Sequence, residues 1–479
     1  MGVIFSTNKL VSSVSGYIIG KKRKHEDCED EEIKKIIDIA LHTPKRKLES
    51  TTQYIYHELF EEGKNSDVTV CALDEEFHLH KIYLSQSPYF ASMFGGSWVE
   101  TTKNYINIDI VDPLITVESL RVVFGSLYNC EITLNPLGIV SVLATATMFQ
   151  LDGLIEKCTE VMLETINPKT SLDYYNAASQ YGDKKLQEIC FKWFLVNLMT
   201  YYFSHPLTNL KTIPTDLMAK LVSHPDLFVM QTEYSIYVML KYWMYMLTNP
   251  HPVEEVSSKI VSNYFSSKKG GLPFLLSNEG KNFAPAFRGL RLQNLLSQKM
   301  DIELVFKDNI IPQGWLNPVV VQQWKNVLRV DQNEDKGPNT LEDEFFLNNS
   351  LRCGRVLQQK ERHVWRWTGF HFGMDLIMIM DGVTLSIKRN HRCEYGQLLS
   401  VQGTRYLVIR VTVAKLNEQR QLIYSKESEI LNVALTKGEE YKILTLDDDL
   451  DYPIIISANI QYASPDTPEE QLDISQVVP

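Results

Sequence analysis

From residue 68 onward the apolar positions change period twice within thirty residues. Val68, Val70 and Ala72 alternate with polar residues, and after a turn expected over Asp74 to Glu76 the alternation resumes at Phe77 and Leu79, which predicts a β-hairpin. Ile82, Tyr83, Leu84, Tyr89, Phe90, Met93 and Phe94 then fall at spacings that bury one side of two short helices interrupted at Ser87-Pro88. Upstream, Tyr54, Ile55, Leu59 and Phe60 have helical spacing. Downstream, Ile106, Ile108 and Ile110 alternate as a third strand, and 117–128 predicts a helix with Leu120, Val123, Phe124 and Leu127 inward. A second apolar helix is expected over 139–154. A hairpin running into helices is a scaffold for binding rather than a reaction centre.

Beyond about residue 162 the strand signal disappears. Asn167-Pro168 reads as a helix-start pair, and 174–181, 184–199, 215–222 and 233–246 carry apolar residues at i, i+3 and i+4 with polar faces between them. The Lys/Gly/Ser-rich patch at 266–271 marks a loop. After about Asp308 the texture becomes strand-like, with candidate strands at 364–367, 376–380, 384–387, 406–413, 421–424, 441–445 and 454–457 and turns at Asp381-Gly382, Gly403 and Lys437-Gly438. Short strands with regular turn punctuation point to a β-sandwich or barrel-like domain, and the lack of a 40–50-residue repeat excludes a propeller. The expected organisation is an α+β multidomain chain: a tail over 1–50, a mixed domain over 51–162, a helical domain over 163–305, a β-rich domain over 306–465 and a tail over 466–479.

Charge and chemistry narrow the function. A formal charge of −11 argues against a body that coats nucleic acid, which needs a basic face to neutralise phosphates. Seven cysteines without paired spacing, and no apolar leader, lead to the expectation of a reducing, intracellular compartment. The apolar stretches at 191–203 and 234–247 are too short or too interrupted by Lys192, Asn197 and Lys241 to span a bilayer. There is no P-loop, no G-x-S-x-G and no kinase set, so no catalytic residues and no cofactor are expected. Cys353, His363, His371, His391 and Cys393 lack any metal-ligand spacing and are expected to be ordinary strand or loop residues, and His80 to make structural hydrogen bonds.

The basic residues concentrate in the first fifty. Met1-Gly2-Val3-Ile4-Phe5-Ser6 fits the M-G-x-x-x-[ST] pattern for myristoylation of Gly2. One acyl chain binds membranes weakly, and Lys21, Lys22, Arg23 and Lys24 offer the second attraction to anionic lipid that stable attachment needs. The same tetrad with Lys45, Arg46 and Lys47 also fits a nuclear-import signal. The expected locations are the nucleus or nuclear envelope and the inner face of the plasma membrane, with peripheral membrane contact through Gly2.

The stretch from Asn65 to Glu100 resembles the heart of a BTB (POZ) domain: Asp67 after a polar turn, His80-Lys81 at the strand end, Ser87, Tyr89-Phe90 and Met93-Phe94. The helical region after it is similar to the BACK domain that commonly follows BTB. Further blocks, including Tyr54-Ile55-Tyr56, Leu227 to Gln231, Phe287 to Gln293, Arg352-Cys353-Gly354-Arg355 and Trp365-Arg366-Trp367-Thr368-Gly369-Phe370, resemble the germ cell-less family from about Thr43 into the 450s. The resemblance implies a non-catalytic, substrate-recruiting adaptor of a cullin-3 ubiquitin ligase, with links to germ-cell formation and the nuclear envelope. It implies a homodimer with Tyr54, Ile55 and Leu59 in the interface. It also implies cullin contact through Trp98-Val99-Glu100 after the helix ending in Met93-Phe94, completed by Tyr128. A large aromatic anchor beside a carboxylate is a sound arrangement for an interface hot spot. Capture of a protein substrate, with a membrane-associated protein as one candidate, falls to the β-rich domain, where Trp365, Trp367 and Phe370 alternate and are candidate contacts or, on one face, core. A nuclear-envelope or transcriptional scaffold without ligase activity is the competing reading.

Overall fold

The structure, a computed structural model, describes residues 50–95, 103–129, 132–203, 207–249, 256–268, 272–332, 342–367, 374–390 and 400–463. Helix α1 (Thr51–Ile55) opens on a capping box in which the Ser50 hydroxyl accepts from the Gln53 amide at 3.1 Å and the Gln53 side chain accepts from the Ser50 amide at 3.3 Å. It continues as a π-helix over Tyr56–Glu61. The hairpin follows as β1 (Val68–Ala72) and β2 (Glu75–Leu79), and β3 (Tyr105–Ile108) pairs in parallel with β1. Its turn is shorter than expected. Leu73 and Asp74 both take positive φ, 51° and 62°, which makes a two-residue turn whose twist matches the strands, so Glu75 is already paired.

Helices α2 (Lys81–Leu84) and α3 (Pro88–Gly95) flank the Ser87-Pro88 break, and α4 (Val117–Ser126) buries Leu120, Val123 and Phe124 as its period required. The expected single helix over 139–154 is two, α5 (Ile139–Met148) and α6 (Asp152–Thr165). Gln150 sits in the left-handed region at φ 57°, and the Leu151 amide reaches back to the Ala146 carbonyl at 2.9 Å, closing α5 with a Schellman-type cap.

The chain divides into two compact units. The first, described from Ser50, holds the three-stranded sheet and comprises the residues up to Gln86 with Met93–Ile108 and Phe124–Ile132. The second comprises Ser87–Ser92, Asp109–Val123 and everything from Thr133 onward.

Within the second unit, α7 (Ser171–Tyr181), α8 (Lys184–Asn197), α9 (Thr215–Ser223) and α10 (Glu233–Thr248) realise the four predicted helical segments. Helix α11 (Ser258–Ser267) takes the start of the expected loop into its last turn, and α12 (Ala284–Arg288) and α13 (Leu292–Leu295) follow. After Asp308, where strands were expected, the described residues up to 349 form helices instead. Helix α14 (Lys299–Asp308) ends on Asn309 at φ 51°, and α15 (Gln313–Asp331) and α16 (Asp343–Asn349) come next. The Val319-Val320-Val321 run favours a strand in isolation, but Leu316, Asn326 and Val330 share the buried side of a helix and tertiary packing wins.

Strands then build two antiparallel sheets. One has the order β10 (Leu431–Thr436), β8 (Thr404–Leu416), β12 (Ile454–Ala463), β4 (Leu351–Leu357), with β9 (Leu422–Glu427) paired to the second half of β8. The other has the order β11 (Glu440–Thr445), β7 (Thr384–Asn390), β6 (Asp375–Asp381), β5 (His363–Trp365). Leu407, Ile409, Val411 and Val413 from the first meet Leu376, Met378 and Met380 from the second in one core, the period-2 alternation of a sandwich. Strands β4 and β10 were not foreseen: β4 reads Leu-Arg-Cys-Gly-Arg-Val-Leu, and its two arginines and glycine hide a strand whose first four residues are all buried. Among the described residues no helix is long and apolar enough to cross a membrane.

Candidate interaction site

Of the residues proposed to meet cullin, Trp98 and Glu100 lie outside the described residues, as do Gly2, the basic clusters Lys21 to Lys24 and Lys45 to Lys47, and Phe370. Met93 and Phe94 close α3 half-buried, with the Lys81 ammonium 5.6 Å from the Phe94 ring centre. Tyr128 is inside the first unit at 5% exposure. Its ring stacks on Tyr83 at 4.3 Å, and its hydroxyl lies 3.0 Å from both the His80 amide and His80 Nδ1. His80 Nε2 sits 2.9 Å from the Lys64 carbonyl, which can only accept, so Nε2 donates there while Nδ1 faces the Tyr128 hydroxyl. Burial raises the Tyr128 pKa far above its ordinary value, so the phenol stays protonated and keeps this bond. Tyr128 therefore shapes the surface from beneath and ties the end of β2 to the turn after α4.

The residues proposed for a dimer interface lie on the outer side of α1 and the π-helix: Tyr54 is exposed, and Ile55 and Leu59 are half-buried. The other side of this segment packs against Gly125, where a Cβ would stand 3.0 Å from Phe60 and 3.1 Å from Tyr56. A glycine there lets two aromatic rings close over α4.

Of the proposed substrate contacts, the two that are described, Trp365 and Trp367, are in the core. Trp365 and Trp367 are 5% and 6% exposed, cross edge to face at 5.4 Å, and Trp367 Nε1 donates to the Gly354 carbonyl at 3.1 Å. Cys353 is fully buried and its thiol is pushed far up by burial, while His363 Nε2 is bonded to the Gln359 carbonyl at 3.0 Å. No cluster of three potential ligands occurs among the described residues, and His371, His391 and Cys393 lie outside them.

A junction that sequence reasoning did not find joins the helices to the sandwich. Glu233, the first residue of α10, is fully buried and receives Arg352 through two bonds, 2.6 Å from Nη2 and 3.2 Å from Nε, as well as the Arg291 amide at 2.8 Å. The remaining Arg352 donors reach the carbonyls of Val222 at 2.6 Å, His224 at 3.1 Å and Gly289 at 3.4 Å. The Arg291 guanidinium bonds the Ser350 hydroxyl at 2.9 Å and the carbonyls of Ser350 and Leu347. One carboxylate thus holds the Arg352 guanidinium and the Arg291 backbone amide, and carbonyl dipoles with the Ser350 hydroxyl hold the Arg291 guanidinium; desolvation and the nearby Arg352 lower the Arg291 pKa. Beside it the Gln231 amide donates to the Gly354 carbonyl at 2.9 Å, and a Cβ on Gly354 would stand 2.5 Å from the Val229 carbonyl, so only glycine lets the two backbones meet. A second tie is the β8–β9 hairpin tip. Arg420 donates to the Thr200 carbonyl at 2.9 Å and lies 5.4 Å from the Tyr201 ring centre, while Asn197 donates to the Arg420 carbonyl at 3.2 Å. The signal was present: the blocks Leu227 to Gln231, Phe287 to Gln293, Arg352 to Arg355 and Trp365 to Trp367, scattered through the sequence, converge at this one place.

The model of the BTB/POZ domain family matches residues 56–166. Over 477 residues the chain is 43% identical to Protein germ cell-less of Drosophila melanogaster, which covers 94% of this chain and 84% of that protein. Over 436 residues it is 39% identical to Germ cell-less protein-like 1 of Mus musculus, with 89% and 82% covered, and to its Homo sapiens counterpart, with 89% and 84% covered.

Proposed function

Because the chain belongs to the germ cell-less family and carries that family's BTB domain, we propose that it is a substrate-recruiting adaptor of a cullin-3 ubiquitin ligase acting in germ cells. The observation that carries the reading is the BTB match at 56–166, because a BTB domain is a protein-binding module and the Trp98-Val99-Glu100 signature falls inside it. In this reading Trp98 anchors the contact, Glu100 faces a basic partner, and Met93, Phe94 and Tyr128 support the surface from the protein side. Two copies pair through Tyr54, Ile55 and Leu59, and Gly2 holds the assembly at a membrane, of the nucleus or of the cell cortex. The adaptor forms no bonds itself. It raises the local concentration of a captured protein at the ligase.

The test is a pull-down of cullin-3 with the wild type and with Glu100→Lys, alongside sedimentation to check the dimer. Binding that the charge reversal abolishes in an intact dimer supports the adaptor. A folded wild type that does not bind cullin-3 overturns it and leaves a scaffold without ligase activity.

A further inference from the structure

Helix α15 is polar where a buried helix should be apolar and apolar where a surface helix should be polar. Counted at 100° per residue, Leu316, Gln323, Asn326 and Val330 gather on one side, and all four are buried or half-buried. The opposite side carries Val321, Trp324 and Leu328, at i, i+3 and i+7, with exposures of 53%, 62% and 37%. A tryptophan flanked by two aliphatic side chains and left in water along one ridge marks a protein contact surface.

Each flank of that ridge is a hollow. On one side Val320, Trp324 and Val327 face Leu296, Ile302 and the Lys299–Glu303 pair across a cleft of about 600 Å³. On the other, a cleft of about 480 Å³ lies between α15, α16 and the ends of β4 and β12, and its wall is rich in carboxamides, among them Gln293, Gln322 and Asn326. Their amides donate inward, Gln322 to Asn326 at 3.1 Å and Gln293 to the Asn349 carbonyl at 3.3 Å, which leaves Gln322 and Gln293 oxygens as acceptors for a peptide backbone.

Charge identifies the occupant. Lys325 and Arg329, four residues apart, form a stripe between the apolar ridge and the carboxamide cleft. The one carboxylate of α15 is its last residue, Asp331, in a chain whose net charge is −11. The acidic residues of the neighbouring rim, Asp343 and Glu344, occupy the first turn of α16, where they complement its N-terminus. We propose that the outer face of α15 is the docking site for the protein this adaptor captures, and that it takes an amphipathic segment with large apolar side chains flanked by Asp or Glu. This rests on the adaptor reading, and it assigns capture to α15 in place of the buried Trp365 and Trp367. The apolar residues of the segment cover Trp324 and enter the larger cleft, and its carboxylates meet Lys325 and Arg329.

The experiment is selection of a random 16-residue peptide library displayed on phage against the full chain, with the selected peptides then measured by fluorescence anisotropy. Enriched peptides should combine apolar and acidic residues. Their binding should weaken at least tenfold in Trp324→Ser and in the double variant Lys325→Glu/Arg329→Glu, and peptides with Lys in place of their acids should recover binding to the double variant. Because these side chains lie outside the core, circular dichroism and melting should match the wild type. Enriched peptides that bind all variants equally, or a charge swap that restores nothing, would overturn the site. Binding that appears only when the chain is cut after Ala463 would overturn the choice of a separate protein in favour of this chain's own acidic segment 464–479. None of these readings involves cullin-3, so failure here and failure of the adaptor pull-down are told apart.

Discussion

Two tryptophan-bearing regions of the second unit behave in opposite ways. The block at 365–370 is dense in aromatic residues and reads equally as a contact surface or as core, and Trp365 and Trp367 close the sandwich core with Trp367 bonded to the backbone of β4. Helix α15 carries Trp324 among valines, lysine and glutamines, shows no aromatic cluster, and holds its indole in water. Aromatic density measures how much apolar area a segment can bury, not against what. In the first region the partner is already in the chain; in the second nothing among the described residues covers the ring.

The largest effect that sharpens this contrast is expected at the junction beneath the first region. Arg352→Ala leaves Glu233 buried without its main partner and should cost about 3–5 kcal/mol in denaturant unfolding. Glu233→Ala/Arg352→Ala should be less destabilised than the two single changes added together. Equal and additive losses would show that the pair is not coupled. Next, Trp367→Ala should cost about 3–5 kcal/mol as a cavity in the sandwich, whereas Trp324→Ser should change stability by about 0.5 kcal/mol or less. Similar losses from both would break the comparison.

The smallest effect is one of pH. Burial, with Arg410, Arg352 and Lys192 nearby, lowers the His224 pKa against the opposing pull of Asp226, and neutral Nδ1 accepts the Asp226 amide at 3.2 Å. The unfolded chain therefore binds a proton here more readily than the folded one. The contribution of His224 is full above the unfolded value of about 6.5 and is lost as pH falls through the lower folded value. Between about pH 7 and 5.5 the melting temperature of the wild type should fall more steeply than that of His224→Gln. Parallel curves would remove His224 as the cause.

Local pattern carried much of the architecture. The hairpin of β1 and β2, the Ser87-Pro88 break, α4 and the four helices from α7 to α10 were legible because each is fixed by period and by partners a few residues away. The family was legible too, through residue blocks whose spatial meaning was hidden. What failed was what depends on distant partners. Strand β4 pairs with β12, so Leu357 meets Ile454 and Leu351 meets Ile460, and no local alternation announces it. Helix α15 overrides a β-branched run because its buried side packs elsewhere.

The sequence by itself determined the BTB hairpin, the order of helical and β-rich regions and the family, because side-chain period and specific residue blocks are local properties. The tertiary structure alone decided that Glu233, Arg291 and Arg352 form one buried knot, that Trp365 and Trp367 are core, and that Trp324 is not. Burial is a relation between segments far apart in the chain, and a residue's chemistry does not state which segment will come to cover it.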